Sequence, residues 1–330
     1  MTDEMDLLER FHGLKALVVG DVMIDAYLKG KVERMSPEAP VPIVNLSDRF
    51  NRLGGAANVA INLKALGAVP TVCSVVGNDS HANELFTLMH GHGLATDGLI
   101  KSDKRVTTVK HRVFNGDKQV LRIDEEDCLD LTEKEHHDLW EVIKEALDKE
   151  PFDVIILQDY NKGVLTEKMI QAIVAEAKKR NIPVAVDPKK KNFFAYQGVT
   201  LFKPNAKELR DGLGMKAETI DELREAAFAL QEKLHCQYLM VTLSENGVMM
   251  IHNGVFKHIP AHPRHIVDVS GAGDTVLSVA ALSTALQEDT ETIAAVSNLA
   301  GGLVCEEVGV VPIDCNRFQQ ELHRLHGCHD

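Results

Sequence analysis

Short apolar runs alternate with longer stretches of helical periodicity along most of this chain. Ala16–Val19, Val72–Val76, Val154–Leu157, Val184–Val186 and Leu239–Thr242 are too short for helices and rich in β-branched residues, so they read as buried strands. Between them, residues 55–66, 79–91, 132–149, 166–180 and 219–234 repeat apolar positions at helical spacing. Such alternation predicts an α/β protein of three layers, a mainly parallel sheet with helices on both faces. Ligands of such sheets bind beyond the carboxyl ends of the strands. Asp21, Asp25, Asp159, Asp187 and Asn205 all follow strand signals, and His265-Ile266-Val267 reads as a further strand leading to Asp268 and Asp274.

Two stretches break the alternation. Residues 26–50 hold Pro37, Pro40 and Pro42 around a short apolar run. Residues 105–124 alternate apolar and polar positions about Asn115-Gly116, a hairpin signal. Either the two pieces form a small β-lid over one end of the main layers, or they are unrelated surface excursions. With no internal repeat or linker, residues 1–330 read as one domain carrying that lid.

Composition narrows the partners. A formal net charge of -13 with one Trp and four Tyr argues against general nucleic-acid binding. No apolar run reaches the roughly 18 residues of a membrane span. The first residues are acidic, unlike a signal peptide. Six scattered cysteines without a Cys-x-x-Cys pair read as reduced thiols of a cytoplasmic protein. The tail His323-Arg-Leu-His326-Gly-Cys328-His329 offers metal ligands, although a frayed polar terminus is the simpler account.

Four segments carry candidate chemistry. Asp268-Val-Ser-Gly271-Ala272-Gly273-Asp274-Thr275 precedes a long small-and-apolar run. Its glycines allow a tight turn, and the following helix would aim its free N–H groups at an anion there, with Asp274 placed as a base. Leu53-Gly54-Gly55-Ala-Ala-Asn58 opens a second helix among small residues that allow close approach to a ligand. Asp21 and Asp25, four apart after the first strand, suit sugar hydroxyls, or line a solvated loop. Asn205 and Glu208 have the spacing of a capping box, which explains it fully; the functional alternative is a pair orienting water around a divalent ion. Neither a Gly-x-Gly-x-x-Gly after a strand nor a Gly-x-x-x-x-Gly-Lys-Ser/Thr loop is present, which excludes dinucleotide and P-loop sites.

The two glycine segments, in this order and joined by Asn205-x-x-Glu208, resemble the paired signatures of the ribokinase-like (PfkB) carbohydrate kinases over essentially the whole chain. Within that family the chain is most similar to the heptose-7-phosphate kinases of ADP-heptose synthesis, a route to the lipopolysaccharide core. Gly20–Asp25, Ser36–Pro42, Asp159–Gly163, Asp187–Lys189, Val241–Gly247 and the Asp268-Val-Ser variant carry that similarity. Such kinases are often fused to a nucleotidyltransferase. The expectation here is the kinase half, with a separate adenylyltransferase completing the route.

The resemblance implies ATP-dependent phosphorylation of a sugar phosphate at O1. Asp274 would be the base, with the amides of Gly271, Ala272 and Gly273 as the anion hole. Asp25, Asn58, Gly54, Gly55 and, more weakly, Asp21 would hold the sugar. Lys110, Arg112, Arg122, Lys162 and Lys189 are candidates for the sugar's own phosphate. The nucleotide would lie along Asn205, Gly271 and Gly273, its base near Ser244, Gly247 and Asn298. Asn205 and Glu208 would hold Mg²⁺ through water, and carbonyls near Asp268 and around 304–309 would hold K⁺. Homodimerisation through the β-lid is also implied, with Val41, Ile43 and Val113 able to serve it or to pack the lid internally. Two rivals remain: a kinase for another phosphorylated sugar such as fructose 1-phosphate, and a catalytically silent regulator. The presence of Asp274, Gly271 and Gly273 weighs against the second.

Overall fold

The structure is a computed structural model and describes residues 7–327. Cys328 and His329 of the proposed tail site lie outside the described residues. Among the described residues, no three His, Cys, Asp or Glu side chains converge to hold a metal, and no helix is long and apolar enough to cross a membrane.

In chain order come α1 (Leu7–Phe11), β1 (Lys15–Gly20), β2 (Val22–Met35), β3 (Pro42–Gly55), α2 (Ala56–Ala65), β4 (Val69–Gly77), α3 (Ser80–Gly91), β5 (Leu99–Ser102), β6 (Val109–Asn115), β7 (Lys118–Glu125) and α4 (Glu133–Lys149). Then follow β8 (Val154–Gln158), α5 (Glu167–Arg180), β9 (Val184–Asp187), β10 (Leu201–Phe202), α6 (Ala206–Leu213), α7 (Ile220–Leu234), β11 (Tyr238–Thr242), β12 (Val248–His252), β13 (Val255–Ile259), α8 (Ala272–Ala285), α9 (Thr290–Val304) and α10 (Cys315–Gly327).

The main sheet runs β13-β12-β11-β10-β9-β8-β1-β4-β5 and is parallel except for the β12 and β13 edge. Its central strands are covered on both faces, which is why they read as unbroken apolar runs. Ala16 and Val18 of β1 enter one core with α2, α8 and α9; Leu17 and Val19 enter the other with α4, α5 and α7. Capping accounts for the helix starts read from sequence. Thr132, Thr166 and Thr219 each accept a backbone N–H of the first turn through the side chain.

The two irregular segments form a second sheet, in the order β3-β2-β6-β7. Its bounds differ from those expected. Strands β2 and β3 extend inward to Val22 and Gly55, so Asp25 and Gly54 stand in paired strands, Asp25 opposite Arg52. The β6–β7 turn sits on Gly116-Asp117, one residue later than the Asn-Gly signal. The expected strand at 265–267 is absent. Val267 and Asp268 donate their amides to the Cys305 carbonyl instead, and Ile266 and Val267 are exposed, so that segment lacks the burial a sheet strand needs.

Candidate active site

Helices α2 and α8 start side by side, which brings the two glycine segments together. Both are built of small residues and buried on nearly every side. Polar contacts fix their register. The Thr275 hydroxyl donates to Asn62 Oδ1 (3.1 Å), and Ser278 donates to the Asp274 and Val59 carbonyls (2.8 and 3.4 Å). Gly55 takes φ 60, and a Cβ there would stand 2.2 Å from the Asp21 carbonyl. Gly271 takes φ 82 and caps α8 without a side chain.

Asp274 lies in the first turn of α8, 3% exposed. Its Oδ2 accepts from Asn58 Nδ2 (2.7 Å), and its Oδ1 accepts from the Tyr160 hydroxyl (2.8 Å) and Gln158 Nε2 (3.0 Å). Burial pushes its pKa up to about 6. The nearby Asp187 carboxylate adds to the rise, while the bonds from Asn58 and Tyr160 and the charge of Lys203 oppose it. A buried carboxylate poised near neutrality and aimed from a helix start is suited to remove a proton.

Below it sits a charged cluster that follows β9 and β10. Buried Lys203 pairs with Asp187 Oδ2 (2.9 Å); Lys189 pairs with Asp187 Oδ1 (3.1 Å) and Glu208 Oε1 (2.5 Å). The pKa of Asp187 is lowered: burial would raise it, and the two ammonium groups overcome burial. Lys189 is likewise raised by its two carboxylates against burial. A Cβ on Gly273 would come 3.7 Å from Asp187 and 3.8 Å from Lys203, so this cluster adjoins the turn.

Several expected roles change. The Asp21 carboxylate accepts from the amides of Tyr160, Lys162 and Val164 (2.8, 3.0 and 3.1 Å), so it fastens that loop instead of facing a sugar. The Ala272 amide bonds back to the Val269 carbonyl (3.3 Å) and is committed to the turn, not to the anion hole. Asp25 is buried in strand β2, where Oδ1 accepts Arg112 Nε and Nη2 (2.8 and 2.7 Å). Arg112 is therefore the ion-pair partner of Asp25, not a free cation. Arg122 is exposed and bonded through two nitrogens to Asp124, and Lys162 pairs with Glu126 (2.6 Å). Among the described residues Lys110 forms no ion pair; its ammonium lies 6.0 Å from the Tyr160 ring centre, and burial lowers its pKa. Lys189 is held by Asp187 and Glu208, with its ammonium 5.5 Å from the same ring centre.

Asn205 and Glu208 form a complete capping box: Asn205 Oδ1 accepts the Glu208 amide (2.8 Å) and Glu208 Oε2 accepts the Asn205 amide (2.9 Å). Gly247 takes φ 86 where a Cβ would meet the Ile259 carbonyl at 2.0 Å, and Asn298 donates to the Pro260 carbonyl (2.9 Å). Gly247 and Asn298 thus border one segment, 259–261, and the Ser244 carbonyl accepts the Gly247 amide (3.1 Å). Near Asp268, the Cys305 carbonyl takes two amides and the Val308 carbonyl accepts from Arg52.

Gln158, Tyr160 and Lys203 escaped the sequence reading of the site. Each ends or follows a strand, the one signal available, but their partners are distant in sequence.

Comparison with known proteins bears on the fold and the family. The chain is 40% identical to the bifunctional protein HldE of Methylobacillus flagellatus over 93% of its own length and 62% of the relative's. It is 37% identical to that of Syntrophotalea carbinolica over 99% of its own length and 66% of the relative's. The chain thus spans somewhat less than two thirds of these relatives. Escherichia coli phosphofructokinase-2 in complex with potassium superposes with TM-score 0.79 at 18% identity, covering 96% of this chain and 99% of that one. An Arabidopsis thaliana ribokinase complexed with ribose and ATP gives TM-score 0.72 at 17%, covering 94% and 98%. These two show a shared ribokinase-like fold. The model of the pfkB family carbohydrate kinases matches residues 14–314, and the chain belongs to that family.

Proposed function

We propose that the chain transfers the γ-phosphoryl group of ATP to O1 of D-glycero-β-D-manno-heptose 7-phosphate, giving the 1,7-bisphosphate. The observation that carries the kinase chemistry is Asp274: a buried carboxylate, its pKa pushed up to about 6, in the first turn of a helix that opens on a glycine. The heptose assignment rests on the motifs named above and on the likeness to the HldE proteins.

In this reading Asp274 accepts the O1 proton as O1 bonds to the γ-phosphorus and the bond to the bridging oxygen of ADP breaks. The Gly271 and Gly273 amides and the α8 dipole stabilise charge on the transferred group. Asp25 Oδ2 takes a sugar hydroxyl while Arg112 fixes Oδ1. Lys110 meets the 7-phosphate. Glu208 is already engaged by Asn205 and Lys189, so that pair suits water-mediated rather than direct contact with Mg²⁺, which would neutralise the nucleotide phosphates. The nucleotide base lies along 259–261, beside Ser244, Gly247 and Asn298.

The small sheet serves as a lid. Its exposed Val41, Leu46, Leu121 and Ile123 favour pairing with the lid of a second copy, which light scattering on wild type and Leu121→Glu would test. Free cysteines at 73, 128, 236, 305 and 315 fit a reducing, cytoplasmic setting.

The test is ATP turnover with the β-heptose 7-phosphate, its α-anomer, fructose 1-phosphate, fructose 6-phosphate and ribose, with Asp274→Asn as control. Turnover of the β-heptose alone is expected. Turnover only of another sugar removes the heptose assignment and keeps the mechanism. The same panel in K⁺ and tetramethylammonium salts reports whether a monovalent cation beside Asp268 contributes.

A further inference from the structure

Arg52 stands in strand β3 two residues before the glycine pair, yet its side chain reaches beyond that sheet. Nη1 donates to the carbonyls of Val308 (2.8 Å) and Val310 (2.9 Å). The guanidinium lies over two stacked rings, 5.5 Å from the Tyr27 centre and 5.1 Å from the Phe50 centre. The Val310 amide donates to the Tyr27 hydroxyl (3.0 Å). Between them Gly309 takes φ 74, where a Cβ would come 2.7 Å from that hydroxyl. One side of the 308–310 segment is therefore fastened to β2 and β3.

Its other side is fastened to the turn before α8. The Gly309 amide donates to Asp268 Oδ2 (2.9 Å), and Asp268 Oδ1 accepts the Ser270 amide (2.9 Å). Val310 Cγ1 lies 3.2 Å from the place a Cβ on Gly271 would occupy. On the small sheet, Arg52 stands opposite Asp25, the partner of Arg112. A charged donor bridging two carbonyls fixes the direction of the segment as well as its distance, which one neutral bond does not.

We propose that Arg52 is a positioning residue that clasps the lid to the Asp268–Gly273 turn, so that a sugar held by the lid and a phosphoryl group held by the turn share one register. This rests on the reading of that turn as the anion site. Arg52 touches neither reactant; it acts through Val308, Gly309 and Asp268.

Hydrogen exchange on ligand-free wild type, Arg52→Met and Arg52→Lys tests the clasp without any sugar. The amides of Ser270, Gly309 and Val310 should exchange about tenfold faster in Arg52→Met, the worth of one charge-assisted bond, with Arg52→Lys in between. The β8 amides, Val154–Gln158, should be unchanged. Affinity for Mg²⁺·AMP-PNP, measured by calorimetry without sugar, should fall by a similar factor in Arg52→Met. Unchanged exchange at those three amides overturns the clasp, as does acceleration that spreads equally through β8. Unchanged nucleotide affinity alongside faster exchange overturns the positioning role. Absence of wild-type turnover on every sugar would sink the heptose reading and leave these outcomes standing.

Discussion

Removing the Tyr160 hydroxyl should move the pH at which the enzyme switches on. In Tyr160→Phe the ring keeps its place between Lys110 and Lys189, and only the bond to Asp274 Oδ1 (2.8 Å) is lost. That bond favours the ionised carboxylate, so its loss raises a pKa already pushed up to about 6. A hydrogen bond to a charged group is worth about 1.5–3 kcal/mol in favourable cases, and one pH unit corresponds to about 1.4 kcal/mol. Asn58 and Gln158 still donate, so the lower end applies and the pKa should rise by about one pH unit. The base works ionised, so activity is lost as pH falls through its pKa. The acid limb of kcat/KM should therefore move from about 6 to about 7. The wild-type to variant ratio then becomes about ninefold at pH 5, about threefold at pH 6.5 and close to one at pH 8. Steady-state kinetics from pH 5 to 9 with saturating Mg²⁺·ATP measures this. A limb that stays in place, or moves to lower pH, refutes the assignment of Tyr160 and Asp274 as a coupled pair. A uniform loss across the range would point to ring packing, not to the bond.

Other perturbations follow from the same contacts. Gly271→Ala should cost about 1–2 kcal/mol from its left-handed backbone alone, and it also sets a Cβ 3.0 Å from Asn58 Nδ2. Its Tm and kcat should both fall, and an unaltered pair of values would contradict the turn described. Arg112→Leu strands the buried Asp25 carboxylate, so urea unfolding should show a loss of about 3–5 kcal/mol, largely recovered on adding Asp25→Asn. Lys110→Ala should raise KM for the sugar phosphate about tenfold with KM for ATP unchanged, while exposed Arg122→Ala changes either by less than about twofold. The opposite ranking would move the phosphate site outward. Ionising Asp274 costs stability, because its folded pKa stands above its unfolded value. That cost is relieved as pH falls from about 6 towards 4, and it amounts to about 1.4 kcal/mol for each pH unit separating the folded from the unfolded pKa. The stability of Asp274→Asn relative to wild type should therefore rise between about pH 4 and pH 7, whatever constant offset the new amide brings. A flat difference in paired denaturation curves would place the Asp274 pKa near its ordinary value.

What the sequence disclosed and what it hid divide along one physical line. The strands, the capped helices and the two glycine turns are local: apolar runs, Thr caps and missing Cβ atoms leave their mark within a few residues. Asp274 was legible as a candidate base because it stands in the first turn of its own helix. Gln158 and Tyr160 were not, since their partner lies 116 and 114 residues away and nothing local distinguishes a donor from a solvated side chain. Asp21 and Asp25 looked alike as acids after a strand. The fold separates them, for Asp21 faces three amides of the 160–164 loop and Asp25 faces an arginine from another strand. The failed strand at 265–267 shows the converse, because an apolar triplet becomes a strand only where a sheet edge is there to receive it. A motif can thus locate a candidate base, while the groups that set its pKa and hold its surroundings in register emerge only from packing. In this chain those groups are Tyr160, Gln158 and Arg52, and each leaves the two glycine turns intact when changed. Variants at these three positions therefore measure how much of the site's performance belongs to the fold and not to the motifs.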